Sequence, residues 1–214
     1  MIKTRTGIQE KTGHKGQNMK PTISRGLPSI PVTESKRAEW KHHCHIAIKQ
    51  KDGACLATAI IHASAIFKGD TISKCFYEHD ADNLDKKGYR YSMEKTLGVA
   101  MRLGYIRACR KINSFDGYKA NIKDHPILIG FDQFEGTVTP SCNGAIGPTG
   151  KRTGTRHVML SLGRNPMWLF GHYSVLKNSR GPDWGECFGE VDITDGDLKE
   201  LWDKGSVEAW AIVK

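Results

Sequence analysis

The chain has 214 residues, a formal net charge of +9 and an apolar content of 38%. This length suffices for one sizeable hydrophobic core or for two small lobes that share an interface. No run of eighteen apolar residues occurs, so the sequence predicts no membrane-spanning helix. Residues 1–20 are polar and basic throughout, so we do not expect them to act as a secretory signal.

Residues 1–28 carry a large share of the positive charge, because their Lys and Arg residues face only one acidic residue, Glu10. The residues between the charges are mostly Gly, Thr, Gln and Asn, a composition typical of a flexible tail. No aromatic residue is interleaved with the charges, so the base-stacking part of a nucleic-acid-binding signal is missing and nucleic acid is not an expected partner. We interpret the segment as a solvated tail; an arm that binds a membrane or covers the active site is the alternative.

Six cysteines are scattered along the chain without C-x-x-C spacing. If one of them is a catalytic thiol, five remain, and an odd number fits a reducing compartment such as the cytoplasm best. Two disulfides and one spare thiol are the alternative. The run His42-His43-Cys44-His45 suggests a metal site, but adjacent residues of a strand point to opposite faces, and only His43 and His45 would converge. We therefore predict a surface strand here rather than a zinc site.

The segment from Cys55 to Phe67 is apolar or small on all sides, which predicts a buried helix. Asp52 and Gly53 supply a turn and an N-terminal cap. A thiol in the first helical turn lies near the positive end of the helix dipole and near unpaired backbone N–H groups, and both favour the thiolate. The alternative is that Cys55 is simply a small buried hydrophobic residue.

The rest of the chain changes from helical to strand-like patterns. Residues 68–87 are polar and predict turns, whereas residues 92–103 repeat apolar side chains at helical spacing and end at Gly104. After residue 111, apolar segments separated by Gly-rich turns predict strands. These predicted strands cover residues 126–131, 157–162, 167–170, 173–177 and 207–213. The sequence therefore predicts a helical part followed by a mainly β part.

Three ordered blocks resemble those of papain-like cysteine peptidases. Gly53-Ala54-Cys55 is similar to the family's G-S-C at the start of its central helix. The block 155–163, TRHVMLSLG, is similar to the family's histidine strand. The block 173–181, YSVLKNSRG, followed by Trp184-Gly185-Glu186, resembles the asparagine block K-N-S-W-G-x-x-W-G. The resemblance covers roughly residues 30–214 of this chain.

The resemblance implies a papain-like α+β fold in a domain of residues 29–214, with a helical lobe over about 40–112 and a mainly antiparallel β lobe over about 113–214. It implies hydrolysis of peptide bonds in a peptide or protein substrate through an acyl-thioester intermediate, with no cofactor and no metal. A thiol acyltransferase or amidase that uses the same triad is one alternative. A catalytically inactive binding module is another.

The resemblance also implies the role of each site residue. Cys55 is the nucleophile, His157 pairs with it and transfers protons, and Asn178 orients the ring of His157. The backbone N–H of Cys55 and the side-chain amide of Gln50 form the oxyanion hole. The alternatives are a hydrogen-bonded core histidine for His157, a turn residue for Asn178 and an ordinary strand end for Gln50.

The chain departs from the family pattern at several points. Gln50 precedes Cys55 by one residue fewer than in the family, so Lys49 is a competing candidate for its position. Leu56 replaces the aromatic residue after the nucleophile, and Arg180 replaces the tryptophan that shields the Asn–His hydrogen bond. The separation of Cys55 and His157 is shorter than the roughly 130 residues typical of the family, so we expect trimmed loops around the cleft. We also expect no long prodomain.

One charge pattern is specific to this sequence. Residues 136–182 contain no Asp or Glu, although they contain six Lys and Arg residues and both His157 and Asn178. Such an acid-free wall would favour the thiolate and attract acidic substrates. A solvated basic face is the alternative.

Overall fold

A computed structural model describes residues 44, 46–51, 53–68, 74–88, 92–140, 145–167, 171–185 and 189–213. Several sequence predictions fall outside this part of the chain and stay predictions. They concern the basic tail at residues 1–28, the cap Asp52, the histidines at 42, 43 and 45, and the strand at 168–170.

The helices of the described chain are three long ones near its beginning and three shorter ones between or before strands. They are α1 (Cys55–Lys68), α2 (Lys74–Lys87), α3 (Met93–Arg102), α4 (Phe115–Ile122), α5 (Glu135–Val138) and α6 (Asp195–Asp203). The strands are β1 (Ala108–Ile112), β2 (Ile127–Phe134), β3 (Ala145–Ile146), β4 (Arg152–Met167), β5 (Gly171–Lys177), β6 (Glu190–Thr194) and β7 (Val207–Val213).

The strands form one sheet in the order β1-β7-β2-β4-β5-β6-β3. All neighbouring pairs are antiparallel except β3 and β6, which run parallel. Strand β1 pairs with β7 and so belongs to this sheet, although the sequence placed residues 108–112 at the end of the helical lobe. The long central strand β4 carries His157, and its neighbour β5 ends immediately before Asn178.

Helix α1 is buried from Cys55 to Ala65, as its apolar sequence predicts. A helix without a polar face gains little by lying at the surface, because apolar area removed from water supplies most of the favourable free energy of folding. It therefore packs between the other helices and one face of the sheet, where Val158 and Leu160 of β4 contribute to the same core. This packing brings the beginning of α1 against the strand that carries His157.

The prediction of turns over residues 68–87 is wrong, because residues 74–87 form helix α2. Most side chains of α2 are polar, and this polarity concealed the helix. Tyr77, Ala81 and Leu84 are nevertheless spaced four and three residues apart, and all three are buried. This spacing places them on one helical face, so a narrow apolar stripe was the available signal.

Helix α3 agrees with the prediction for residues 92–103. The hydroxyl oxygen of Ser92 accepts a hydrogen bond from the backbone N–H of Lys95 at 3.3 Å and caps the helix. Gly104 follows with a φ of +72°, a left-handed conformation that favours glycine after a helix.

The sheet has a hydrophobic core on each face, because alternate residues of a strand point in opposite directions. In β2, Leu128 faces the core built on α1, whereas Ile127, Ile129 and Phe131 face the second core. Helices α4 and α6 cover this second face through Tyr118, Leu198 and other buried residues. The helices α1 to α3 therefore lie on one side of the sheet, and α4 and α6 lie on the other.

None of the helices in the described residues is long and apolar enough to cross a membrane. Across the same residues, no group of three or more His, Cys, Asp or Glu side chains is arranged to hold a metal ion.

Candidate active site

Cys55 is the first residue of α1, and a tight turn delivers it there. The backbone N–H of Ala54 donates to the carbonyl oxygen of Lys51 at 3.0 Å, and Gly53 has a φ of +77°. The thiol is almost completely buried. The backbone of Val158, the residue that follows His157 on β4, lowers the pKa of this thiol. The fold thus brings Cys55 to the strand that carries His157, although the two residues are far apart in the sequence.

The pKa of the Cys55 thiol is raised above its usual value, chiefly because burial penalises the thiolate. Backbone groups of Val158, Leu56 and Cys55 itself act in the opposite direction, as expected at a helix N-terminus. The charge of Asp85 raises the pKa further. Desolvation outweighs the backbone contribution, so the direction of this shift runs against the thiolate expected from the helix N-terminus.

His157 and Asn178 form a buried hydrogen-bonded pair, with 2.7 Å between His157 Nε2 and Asn178 Oδ1. The same Oδ1 atom also accepts the backbone N–H of Ser179 at 2.7 Å. A backbone N–H can only donate, so this contact identifies the Asn178 atom as the oxygen. Nε2 of His157 must then carry a proton and donate it, which leaves Nδ1 as the ring atom that can accept one.

A glycine-dependent loop holds Asn178 in place. The backbone N–H of Asn178 donates to the carbonyl oxygen of Gly189 at 2.9 Å. Gly189 has a φ of +84°, and a Cβ atom there would lie 2.6 Å from the carbonyl oxygen of Gly181. Backbone oxygen cannot move aside as a flexible side chain can, so this position requires glycine. The amide nitrogen Nδ2 of Asn178 is buried without a hydrogen-bond partner among the described residues.

The pKa of His157 is lowered to about 4. Burial is the main cause, since it penalises the imidazolium; the hydrogen bond to Asn178 opposes the shift, and the charge of Arg180 adds to it. His157 is therefore neutral near pH 7. The raised pKa of Cys55 and the lowered pKa of His157 each favour the uncharged form of the side chain.

Gln50 is joined to the loop that follows Asn178. Its backbone N–H donates to the carbonyl oxygen of Ser179 at 2.6 Å, and the hydroxyl of Ser179 donates to Gln50 Oε1. Because Oε1 is occupied as an acceptor, the amide Nε2 is the group that remains to donate. The competing candidate, Lys49, is exposed and makes an isolated backbone bridge with Arg180. Ser179 was not identified as a site residue from the sequence, although it lies next to Asn178 in the recognised block.

Arg180 occupies the position at which the sequence pattern predicts tryptophan. Its guanidinium group lies over the ring of Trp184, 5.9 Å from the ring centroid. Partial burial lowers the pKa of Arg180, and the charge of an ionised Cys55 opposes that shift. Since Arg180 also lowers the pKa of His157, this one cation acts on both members of the Cys–His pair.

The acid-free stretch of sequence does not form an acid-free surface. Most of its basic side chains pair with carboxylates from neighbouring elements, because the sheet brings distant segments side by side. Arg152 and Arg156 pair with Asp132 at 2.7 and 3.5 Å. Arg164 pairs with Asp195, and Lys177 pairs with Glu190 at 3.5 Å. The prediction of an unpaired basic wall is wrong for these four residues.

Cys44, Cys55 and Cys109 are free thiols, whereas Cys142 and Cys187 lie outside the described residues.

No protein-family model matches the sequence, and no curated protein matches it either. Solved structures do match. Two crystal structures of the Amb a 11 cysteine protease, a major ragweed pollen allergen, in its proform are each 18% identical to the chain, with TM-scores of 0.55 and 0.56. These matches cover 80% and 79% of this chain but 62% of each proform, so the chain spans less than two thirds of their length.

The bromelain protease from Ananas comosus, solved with the E64 inhibitor, is 18% identical with a TM-score of 0.48. That match covers 79% of this chain and 94% of bromelain. The two structures with TM-scores above 0.5 share the arrangement of helices and sheet described above. The chain therefore has the α+β fold of the papain-like cysteine proteases, as the sequence predicts.

Proposed function

We propose that this protein is a cysteine peptidase that hydrolyses peptide bonds through an acyl-thioester on Cys55. The observation that carries the proposal is the buried His157–Asn178 hydrogen bond of 2.7 Å, made on the strand against which the helix of Cys55 packs. Hydrogen bonding fixes the tautomer of His157 and leaves Nδ1 able to accept a proton. A histidine with a purely structural role could also pair with Asn178. That role would not require a cysteine at the N-terminus of a helix packed against the same strand.

In the proposed acylation step, the sulfur of Cys55 attacks the carbonyl carbon as its proton passes to Nδ1 of His157. The π electrons of the carbonyl move onto its oxygen. When this tetrahedral intermediate collapses, the C–N bond breaks and the Nδ1 proton goes to the leaving nitrogen, which departs as a free amine. The thiol and the imidazole start uncharged, so the ion pair forms during the reaction.

Deacylation reverses the same proton movements. Nδ1 of His157 removes a proton from water, the hydroxide adds to the thioester carbon, and the sulfur leaves and regains the proton. The products are a carboxylic acid and the resting enzyme. Throughout both steps Asn178 accepts the Nε2 proton of His157 in a hydrogen bond and keeps the ring in the plane that proton transfer requires.

The oxyanion of each tetrahedral intermediate needs donors that are already in place. We assign this role to the backbone N–H of Cys55, which lies in the first helical turn, and to Nε2 of Gln50. Support for Gln50 comes from its two contacts with Ser179, which attach it to the loop that carries Asn178. Donors held by a rigid loop stabilise the developing charge without reorganising, and this makes them effective in the transition state.

A preference for acidic substrates is the finer part of the proposal, and Arg180 alone supports it. Its charge interacts with His157 and with an ionised Cys55, the two residues proposed to act on the scissile bond. A carboxylate of the substrate near that bond would interact favourably with the guanidinium group. Two peptides that differ only by Glu and Gln beside the cleavage site test this. We expect a higher kcat/KM for the Glu peptide and equal values in Arg180→Gln; equal values in the wild type would remove the preference.

Covalent labelling tests whether Cys55 is a live nucleophile. The protein is incubated with a peptidyl epoxide, and the adduct is located by peptide mapping and mass spectrometry. We expect a single adduct on Cys55 and none in Cys55→Ala, with much slower labelling in His157→Ala. Labelling of another cysteine at the same rate would contradict the assignment, and absence of any adduct would favour an inactive binding module. Transfer of the acyl group to an added amine, with no free acid formed, would favour an acyltransferase.

A further inference from the structure

His62 is a buried imidazole outside the triad, two helical turns beyond Cys55 on the same helix. It is fully buried, and its Nε2 atom accepts the backbone N–H of Ile48 at 3.2 Å. Ile48 lies two residues before Gln50. One hydrogen bond thus connects the helix that carries the nucleophile with the segment that carries the proposed oxyanion donor.

The segment 46–50 depends on such contacts, because it forms no regular helix or strand apart from the bridge at Lys49. At its far end, Gln50 is attached to Ser179. Two residues before the segment begins, Lys177 Nζ donates to the carbonyl oxygen of Cys44 at 3.4 Å. The His62–Ile48 bond joins the middle of the segment to α1. Without this bond, Ile48 would lose its hydrogen bond to α1, whereas Gln50 would remain attached to Ser179 in the loop after β5.

The chemistry of the His62 bond requires a neutral ring. A backbone N–H donates to Nε2, so Nε2 carries no proton, and the ring proton is on Nδ1. Burial and the charge of Lys177 lower the pKa of His62 to about 3, which keeps the ring neutral. The Cys44 thiol donates to the backbone carbonyl oxygen of His62 at 3.7 Å, and Lys177 itself pairs with Glu190 at 3.5 Å.

We propose that His62 is a positioning residue: by accepting the Ile48 N–H, it sets the Gln50 amide at the correct place relative to the Cys55 sulfur. The inference rests on the proposed function, because it needs Gln50 to act in the oxyanion hole. His62 touches neither substrate nor reacting atoms in this account. Its effect passes through Lys49, the one residue between Ile48 and Gln50.

The test uses two substitutions that differ in one property. His62→Leu removes the acceptor while it keeps an apolar side chain of similar bulk in the core. His62→Gln keeps an acceptor at the end of a side chain of similar length, since its Oε1 can take the place of Nε2. We expect kcat to fall about tenfold or more in His62→Leu, because a buried N–H left without its acceptor no longer holds the segment. We expect KM to change little and His62→Gln to recover most of kcat.

A double substitution separates positioning from general damage. If His62 acts through Gln50, adding His62→Leu to Gln50→Ala should lower kcat no further, because the donor is already gone. The rate at which chloroacetamide alkylates Cys55 should be equal in wild type and His62→Leu, since alkylation forms no oxyanion. If His62→Leu lowers kcat by the same factor in the wild-type protein and in Gln50→Ala, the inference is overturned. An alkylation rate that falls together with kcat would also overturn it.

The remaining outcomes also decide. If His62→Leu does not fold, His62→Met supplies an apolar side chain with more freedom to adapt. If neither apolar variant folds whereas His62→Gln does, the bond serves the whole fold and the positioning role is wrong. An unchanged kcat in His62→Leu overturns this inference alone. A wild-type protein that neither hydrolyses peptides nor is alkylated at Cys55 overturns the proposed function instead.

Discussion

Gln50 and Ser179 are connected twice, by a backbone hydrogen bond of 2.6 Å and by the Ser179 hydroxyl, which donates to Gln50 Oε1. The next contact in the same loop is the backbone N–H of Ser179, which donates to Asn178 Oδ1 at 2.7 Å. Ser179 therefore connects the proposed oxyanion donor with the residue that orients His157. A change in the position of Gln50 should therefore disturb Asn178 through Ser179, and a change at Asn178 should disturb Gln50.

Replacement of Gln50 by Ala should lower kcat by on the order of 10²–10³, the usual cost of removing one oxyanion donor. The melting temperature should change little, because the Gln50 side chain is only partly buried. Steady-state kinetics and thermal unfolding measure the two effects. Ser179→Ala is the matched control, because it keeps the side-chain amide of Gln50 but removes the hydroxyl that donates to it. This variant should show a smaller loss of kcat. A Gln50→Ala enzyme as active as wild type would show that another group donates.

The triad should behave as a unit in kinetic measurements. Cys55→Ala should abolish turnover, and His157→Ala should come close to this, because both the nucleophile and its proton acceptor are then missing. Asn178→Ala should be milder, since Asn178 orients the ring without reacting. The ranking is measured as kcat/KM on one peptide substrate. An Asn178→Ala loss as large as that of Cys55→Ala would mean that the fold of the site, and not the ring orientation, depends on Asn178.

Arg180 should shift the acid limb of the pH–rate profile, adding to the larger effect of burial on the pKa of His157. Its charge lowers the pKa of His157, and a protonated His157 cannot accept the thiol proton. Arg180→Gln removes that charge, so the pKa of His157 should rise and the acid limb of kcat/KM should move to higher pH. Arg180→Lys keeps a charge and should move the limb less. The shift should shrink as salt increases. Superimposed profiles at low salt would show that the charge does not act on His157 during catalysis.

The buried histidines should make the fold sensitive to acid. The pKa of His157 is lowered from 6.5 to about 4, and that of His62 is lowered from 6.5 to about 3. Between pH values of about 6.5 and about 4, the two histidines bind more protons in the unfolded chain than in the folded one. The free energy of unfolding should therefore fall as pH decreases through this range. Urea unfolding at several pH values measures it. His62→Gln should flatten the dependence, and a wild-type stability independent of pH in this window would contradict the argument.

The candidate site residues are predicted from the sequence by local patterns that carry their chemistry. The run after Cys55 is apolar on all sides and therefore predicts a central helix, and the block around Asn178 nearly repeats a known motif. The hydrogen bond from the backbone N–H of Ser179 to Asn178 was not predicted, although Ser179 lies inside the recognised block.

What could not be predicted depends on residues brought together by the fold. The charges at Arg152, Arg156 and Arg164 looked unpaired because their partners on β2, β7 and the start of α6 are distant in the sequence. Helix α2 was missed because its buried stripe is narrow. The desolvation that raises the pKa of Cys55 could not be predicted for a similar reason, since burial depends on the whole packed core and the helix N-terminus is a local feature.

The central claim is that Cys55 and His157 together cleave peptide bonds, and digestion of a peptide library followed by mass spectrometry tests it most directly. Wild type, Cys55→Ala and His157→Ala are incubated with the same library, and new N- and C-termini are counted over time. We expect new termini with wild type, almost none with His157→Ala and none with Cys55→Ala. New termini formed at the wild-type rate by Cys55→Ala, or a wild-type protein that labels at Cys55 yet cleaves no peptide, would contradict it.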